Sequence, residues 1–197
     1  AARLLEPDGI RFERLRYNVE KQGAGIVLTR QMAGEKLGAE YDGKFDLLTA
    51  FELFEHLNEP GRFVEKIFGL LKPGGHFLMT TLNGEGFDIQ LLWENSKSVT
   101  PPHHLTFINP QSLTGLLTSV GFIIEDCTTP GKLDWDIVEG MITEENKKVG
   151  RFWETFANHG TFEAKQELQN WISKHNMSSH IKVLAKKPEI IGSQEFK

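Results

Sequence analysis

The sequence predicts an α/β fold built on a doubly wound, mostly parallel sheet, and three observations predict it. Phe45 to Ala50 and His76 to Leu82 are near-continuous apolar runs, as strands covered on both faces require. Between them lies an amphipathic segment with Phe63, Ile67, Leu70 and Leu71 on one face and Arg62, Glu65 and Lys66 elsewhere. The elements also alternate along the chain as β, α, β, then β, α, β, then α, β, a group of helices and a last β, an order that favours a parallel sheet with crossover helices.

Taken in order, Ala1 to Leu5 reads as the end of a strand followed by the turn Glu6-Pro7-Asp8-Gly9. Arg11 to Lys21 places Phe12, Leu15 and Val19 at helical spacing and stops near Gly23. Ile26 to Leu28 is a short strand, and Gln31 to Gly43 a polar loop. The central helix is expected to end near Lys72, because Pro73 cannot continue it and Gly74-Gly75 turns the chain. Residues 83–109 form a long excursion with a short helix from Asp88 to Glu94, placed where substrate-covering elements tend to be built. Asn109-Pro110 opens a helix from Gln111 to Val120 that Gly121 stops, and Phe122 to Cys127 is a strand. Residues 131–178 are helix-rich and aromatic, Ile181 to Ala185 is a final strand, and 187–197 reads as a loose tail.

At 197 residues the chain suits one α/β domain with a sizeable core, spanning 1–197. A net charge of −5 argues against nucleic-acid binding, which needs clustered Lys and Arg. The lone Cys127 cannot form an internal disulfide, and no apolar run approaches the roughly 18 residues of a membrane span. A cytoplasmic protein is the simplest expectation, with no membrane partner.

Three stretches carry a resemblance: Phe45-Asp46-Leu47-Leu48, then Phe51-Glu52-Leu53-Phe54-Glu55-His56-Leu57, then Leu70-Leu71-Lys72-Pro73-Gly74-Gly75-His76-Phe77. In this order and spacing they resemble the central motifs of class I S-adenosylmethionine-dependent methyltransferases, in the branch that includes ubiquinone-biosynthesis O-methyltransferases and other small-molecule methyltransferases. Pro102-His103-His104-Leu105 to Asn109-Pro110 continues the likeness. It implies a Rossmann-like sheet, S-adenosylmethionine as cofactor and methyl transfer to an oxygen, nitrogen or carbon of a small molecule. One departure stands out. The family's GxGxG loop has no counterpart, since Gly23-Ala24-Gly25 follows a helix and precedes a strand. On this alignment Leu4-Leu5-Glu6 resembles the family's second strand, so the chain is N-terminally truncated relative to the pattern. Residues 1–30 are then expected to be displaced, swapped between chains or paired with another segment, because the missing strand is the central one.

The resemblance also implies site residues. Glu6 takes the place of the acid that accepts hydrogen bonds from both cofactor ribose hydroxyls; the alternative is a solvated turn acid before Pro7. Met32 and Ala33 fall where adenine is flanked, with Glu35 a weaker substitute for the family's aspartate. Phe51, Glu52 and Leu53 would line the methionine end, where an aromatic face attracts a sulfonium; Phe51 reads equally as the last core residue of its strand.

His56 suits a general base, against the reading that it packs the start of the next helix. His103 and His104 are adjacent and face opposite ways, so no metal site is expected; one, assigned as His104, faces the substrate and the other binds backbone. The aromatic stretch from Trp135 to Trp171 reads as an acceptor cover, a helical core or a homodimer interface. Two rival functions remain: a non-catalytic binding module of the same fold, and a nicotinamide-dependent oxidoreductase, which would also need the missing glycine loop.

Overall fold

The computed structural model describes residues 41–189 and the backbone of 2–5. The expected helix from Arg11, the strand at Ile26 and the loop from Gln31 to Gly43 fall almost wholly outside these residues. The sheet has five strands in the order β1-β2-β3-β5-β4: β1 (Ala2–Leu5), β2 (Phe45–Phe51), β3 (Leu71–Leu82), β4 (Ile123–Thr128) and β5 (His180–Lys186). β1, β2 and β3 pair in parallel, while β5 runs antiparallel between β3 and β4. Four of the five strands therefore point the same way, and the mostly parallel α/β architecture holds. The first strand pairs directly with β2, from Ala2 opposite Leu47 to Leu5 opposite Ala50, so the segment that resembles the family's second strand lies in the slot expected for its first, a displacement of the kind expected for it. An open β2 edge would otherwise present a row of unpaired backbone groups.

Helix α1 (Pro60–Leu70) starts with proline at its first turn, where a missing N–H costs nothing, and buries Phe63, Val64, Ile67 and Leu70 along one stripe. It ends two residues before the expected Lys72. Residues that precede proline disfavour helical dihedrals, so Leu71 and Lys72 already belong to β3. The Pro73-Gly74-Gly75 turn becomes a bulge inside that strand: Phe45 pairs with Leu71, yet Leu47 pairs with His76. Gly75 has to be glycine, because a Cβ there would lie 2.9 Å from the Lys72 carbonyl oxygen and 3.0 Å from that of Phe45.

Helix α2 (Phe87–Leu92) is shorter than expected and is followed by a single 3-10 turn. Helix α3 (Pro110–Val120) is capped by the Asn109 side chain, which accepts from the Ser112 N–H at 2.7 Å, and is closed by left-handed Gly121. The helix-rich segment resolves into α4 (Asp134–Thr143), α5 (Arg151–His159) and α6 (Phe162–Lys174). No helix among the described residues is long and apolar enough to cross a membrane.

Two cores result. The larger packs α1 and α3 on one sheet face through Phe63, Phe77, Leu117 and Val183. Burial alternates along β3 and β5, so the opposite face carries half-exposed His76, Thr80 and Lys182. The smaller core joins α2 to α4, α5 and α6 around Trp135, which is 1% exposed. Trp135 is thus helical core, whereas Phe152, Phe162 and Trp171 of the same stretch are exposed.

The expected loose tail also needs correction at its first residue. Lys187 donates its backbone N–H to the Gly75 carbonyl at 2.8 Å. Its ammonium donates to the carbonyls of Phe68 and Leu71, each at 2.8 Å, where the end of α1 leaves acceptors without helical partners. Replacing Lys187 by Met keeps the stem and removes both bonds. The expected cost is about 1–3 kcal/mol, read as a lower urea midpoint at unchanged slope. A detached tail would show no change.

Candidate functional site

The carboxyl ends of β2 and β3 open onto a cleft of about 340 Å³ lined by Glu52, Glu55, His56, Asp88, His104 and His180, among others. Sequence dictates this wall in two steps. After β2 the chain makes a tight 3-10 turn, Phe54–His56, that buries Phe54 in the sheet core and leaves Glu55 only 2% exposed. The returning segment then lies along this turn. Leu105 and Thr106 donate their N–H groups to the Glu55 carbonyl at 2.7 and 3.0 Å, and the Thr106 hydroxyl donates to the Leu57 carbonyl at 2.9 Å.

That stitching brings the His56 and His104 rings together, with centres 4.9 Å apart and planes tilted by 58°. His56 Nδ1 lies 2.7 Å from the His103 carbonyl oxygen, and His104 Nδ1 lies 2.7 Å from that of Ser98. A carbonyl only accepts, so both Nδ1 atoms carry protons, and in the neutral rings both Nε2 atoms keep lone pairs. Of the expected pair of histidines, only His104 lines the cleft; the exposed His103 contributes its backbone carbonyl.

Glu52 follows β2 with φ +47°, a left-handed backbone that a non-glycine residue adopts only under constraint. Its N–H donates to the Thr80 carbonyl, its Oε1 accepts from the Thr80 hydroxyl at 2.6 Å, and its Oε2 pairs with His180 Nε2 at 3.1 Å. Burial pushes the Glu52 carboxyl up, but the His180 and Thr80 hydrogen bonds outweigh it and the net shift is downward. The Glu52 hydrogen bond raises His180. Burial raises Glu55, against its backbone bond and the Thr81 hydroxyl, which donates at 2.8 Å.

Phe51, the last residue of β2, is 44% exposed and does not line the cleft. Leu53 differs from expectation: it is buried in the sheet core and does not line the cleft, because the 3-10 turn rotates it inward. Glu6, Met32 and Ala33 lie outside the described residues. Three residues that the sequence did not single out take part: Glu55, His180 and Thr80. Glu55 beside His56 was visible as an acid-histidine pair, whereas His180 and Thr80 meet Glu52 only through the pairing of β5 and β3.

The floor of the cleft is tied to the helical cap. Asp88 accepts from the hydroxyls of Ser96 and Ser98, and the Ser179 hydroxyl lies 2.7 Å from carboxylate oxygens of both Asp88 and Asp134. The Ser179 N–H donates to Asp134 at 2.6 Å, and Gln169 donates to the same carboxylate at 2.7 Å.

Comparison with known proteins follows this geometry. A family model described as a methyltransferase domain matches residues 4–126. The ubiquinone biosynthesis O-methyltransferase of Xanthomonas euvesicatoria pv. vesicatoria (strain 85-10) is 31% identical over 129 residues, which is 62% of this chain and 52% of that protein. The Acinetobacter baylyi protein of the same name is 27% identical over 124 residues, 57% of this chain and 50% of that one. The chain thus spans about half the length of the curated relatives it matches. Among solved structures, Haemonchus contortus phosphoethanolamine N-methyltransferase 2 with S-adenosyl-L-methionine superposes with TM-score 0.58 at 18% identity, over 95% of this chain and 43% of that one. The [4+2]-cyclase SpnF superposes with TM-score 0.55 at 16% identity, over 95% and 66%.

The Glu52–His180 pair has a definite pH signature. The raised His180 contributes stability that is complete below its unfolded value of 6.5 and is lost as pH rises through the higher folded value. The lowered Glu52 contributes above 4.5 and loses its share as pH falls through the lower folded value. Both side chains are nearly half exposed, so the pair is worth at most about 1 kcal/mol. His180→Gln should lower the denaturation midpoint at about pH 5.5 and match the parent at about pH 9. An equal deficit at both values would remove the ion pair from the account.

Proposed function

The chain belongs to the methyltransferase-domain family, and we propose on that premise that its cleft binds S-adenosylmethionine and directs methyl transfer to a hydroxyl of a small molecule. One observation carries the choice of hydroxyl: two imidazole Nε2 lone pairs face one cleft at the carboxyl edge of the sheet, each held there by an Nδ1 bond to backbone. The names of the curated relatives, O-methyltransferases, support the same reading.

The residues fit the cofactor's charge. Phe51, exposed at the end of β2, and Glu52, whose carboxyl is held low, would offer a sulfonium cation an aromatic face and a negative charge. S-adenosylmethionine, when bound, supplies a methyl group already activated on positive sulfur. The chain's own tasks are then positioning, exclusion of water and removal of one proton. Phe51 and Glu52 hold the methionine end, and Glu6, Met32 and Ala33 are proposed from the family resemblance for the ribose and adenine. His56 and His104 form the basic face toward the acceptor hydroxyl. Residues 83–109 supply His104 and the Asp88 floor, and with 131–178 they cover the acceptor. The domain boundary 1–197 and a cytoplasmic location belong to the same proposal.

The test supplies the protein with methyl-labelled S-adenosylmethionine and a panel of hydroxylated metabolites, with mass spectrometry of the products. A labelled methyl ether is expected, and His56→Ala or His104→Ala should each lower kcat about 10²–10⁴-fold at unchanged affinity for S-adenosylhomocysteine. Phe51→Ala should raise the calorimetric Kd of S-adenosylmethionine about two- to five-fold and leave that of S-adenosylhomocysteine nearly unchanged, because only the sulfonium makes an exposed cation–π contact. No labelled product together with no S-adenosylhomocysteine binding would replace this reading with the binding module.

A further inference from the structure

Helices α5 and α6 form a hairpin whose outer side is aromatic. A two-residue turn joins them, and Gly160 within it admits no side chain, because a Cβ would lie 2.5 Å from the Phe156 carbonyl oxygen. Phe152 near the start of α5 and Trp171 near the end of α6 line one groove of about 500 Å³, so the two helices run antiparallel. Phe156 and Leu168 line it too, and the small Ala164 leaves it unfilled. Phe152 is 69% exposed and Trp171 50%. Both rings are nevertheless supported: Phe152 stacks on Phe156 with planes 10° apart, and Trp171 lies 4.8 Å from the His175 ring. The groove shares no residue with the cleft.

Charge is divided along the same hairpin. Glu163, Glu167, Trp171 and Lys174 follow one stripe of α6, with the acids toward its start and the lysine at its end. Arg151, at the start of α5, adds a second cation at the basic end. All four charged residues are exposed, and none pairs with an opposite charge among the described residues, whereas neighbouring Glu154 and Lys165 pair with Lys148 and Glu139. The outer side is thus acidic at one end, basic at the other and apolar between.

We propose that this face binds a second copy of the chain, with the two α6 helices antiparallel about a two-fold axis and the two hairpins packed as a four-helix bundle. An axis passing beside the Leu168–Gln169 peptide sets Glu163 of each copy opposite Lys174 of the other, so acidic end meets basic end twice over. The same axis brings each Trp171 level with the middle of the other copy's groove. Area agrees with this occupant. A Phe or Trp side chain presents about 150–250 Å², so the bare parts of Phe152 and Trp171, with the half-buried Trp153, Phe156 and Leu168, expose several hundred Å² of apolar surface. Monomers rarely leave more than about 300–600 Å² bare in one patch, and the charged stripe extends this one toward the roughly 800 Å² per partner of a stable interface. A membrane fits less well. Its surface is anionic and its amphipathic helices carry lysine and arginine, while Glu167 lines this groove and Glu163 lies one turn away.

The test measures mass by sedimentation equilibrium from about 1 to 100 μM protein, where the parent should pass from monomer to dimer. Two double variants each reverse one end: Glu163→Lys/Glu167→Lys and Arg151→Glu/Lys174→Glu. Each, folded by circular dichroism, should dimerise at least about tenfold more weakly, because like charges then meet at both ends. An equimolar mixture of the two should recover the parent's Kd within about threefold, since every contact is again opposite in sign, a recovery that damaged folds would not give. Trp171→Ala should weaken association about tenfold or more. A parent that stays monomeric at about 100 μM overturns the interface, and one that sediments as a monomer with phosphatidylglycerol vesicles assigns the groove to lipid instead. A dimer that neither charge variant weakens, or a mixture that remains monomeric, overturns the pairing.

Discussion

The cleft depends on one backbone oxygen. The Glu55 carbonyl accepts two N–H groups from the returning segment, and this shared acceptor holds a turn after β2 against residues separated from it by some fifty positions of chain. It sets the position of His104 relative to His56. Two further bonds, from the His56 ring to the His103 carbonyl and from the Thr106 hydroxyl to the Leu57 carbonyl, run between the same segments. The wall is therefore a small cooperative unit, made of backbone acceptors that side-chain chemistry alone would not reveal.

Placing β5 antiparallel between β3 and β4 has a second consequence. It sets His180 opposite Leu82 at the end of the sheet, where its imidazole pairs with Glu52, held after β2 in a left-handed backbone conformation. The residues just before β5, Ser178 and Ser179, are drawn under the cleft, where Ser179 joins Asp88 of α2 to Asp134 of α4. Strand insertion, cap docking and cleft floor are thus one arrangement. A shift of β5 in register would move His180, separate the two carboxylates and expose the smaller core together.

Much of the sheet was legible in the sequence, for identifiable reasons. β2, α1 and β3 announce themselves because burial on one stripe of a helix and along apolar strands leaves a periodic record, and Pro60, Pro73 and Gly121 mark ends by their dihedral limits. The family resemblance added the site at the end of β2. What stayed hidden depends on pairing order and on loops. Nothing in Ile181 to Ala185 reads as antiparallel, since alternation is the same in either direction. Lys187 looks like tail because its partners are the carbonyls of Phe68 and Leu71, and carbonyls have no sequence signature. His104 was chosen as a substrate-facing residue, but its meeting with Glu55 and His56 follows from the path of 103–106, which spacing does not encode.

The fold itself fixes no chemistry, which is why the loops must carry the argument. Solved structures that superpose about equally well are named as an N-methyltransferase and as a [4+2]-cyclase. In this chain the loops add a wall to the sheet edge: a buried carboxylate and two imidazoles whose Nδ1 protons are committed to carbonyls. Committing Nδ1 in this way costs each ring one donor and leaves one directed lone pair. Two directed lone pairs at one sheet edge thus come from the path of two loops and not from the sheet, so the chemistry of the cleft is a property of those loops.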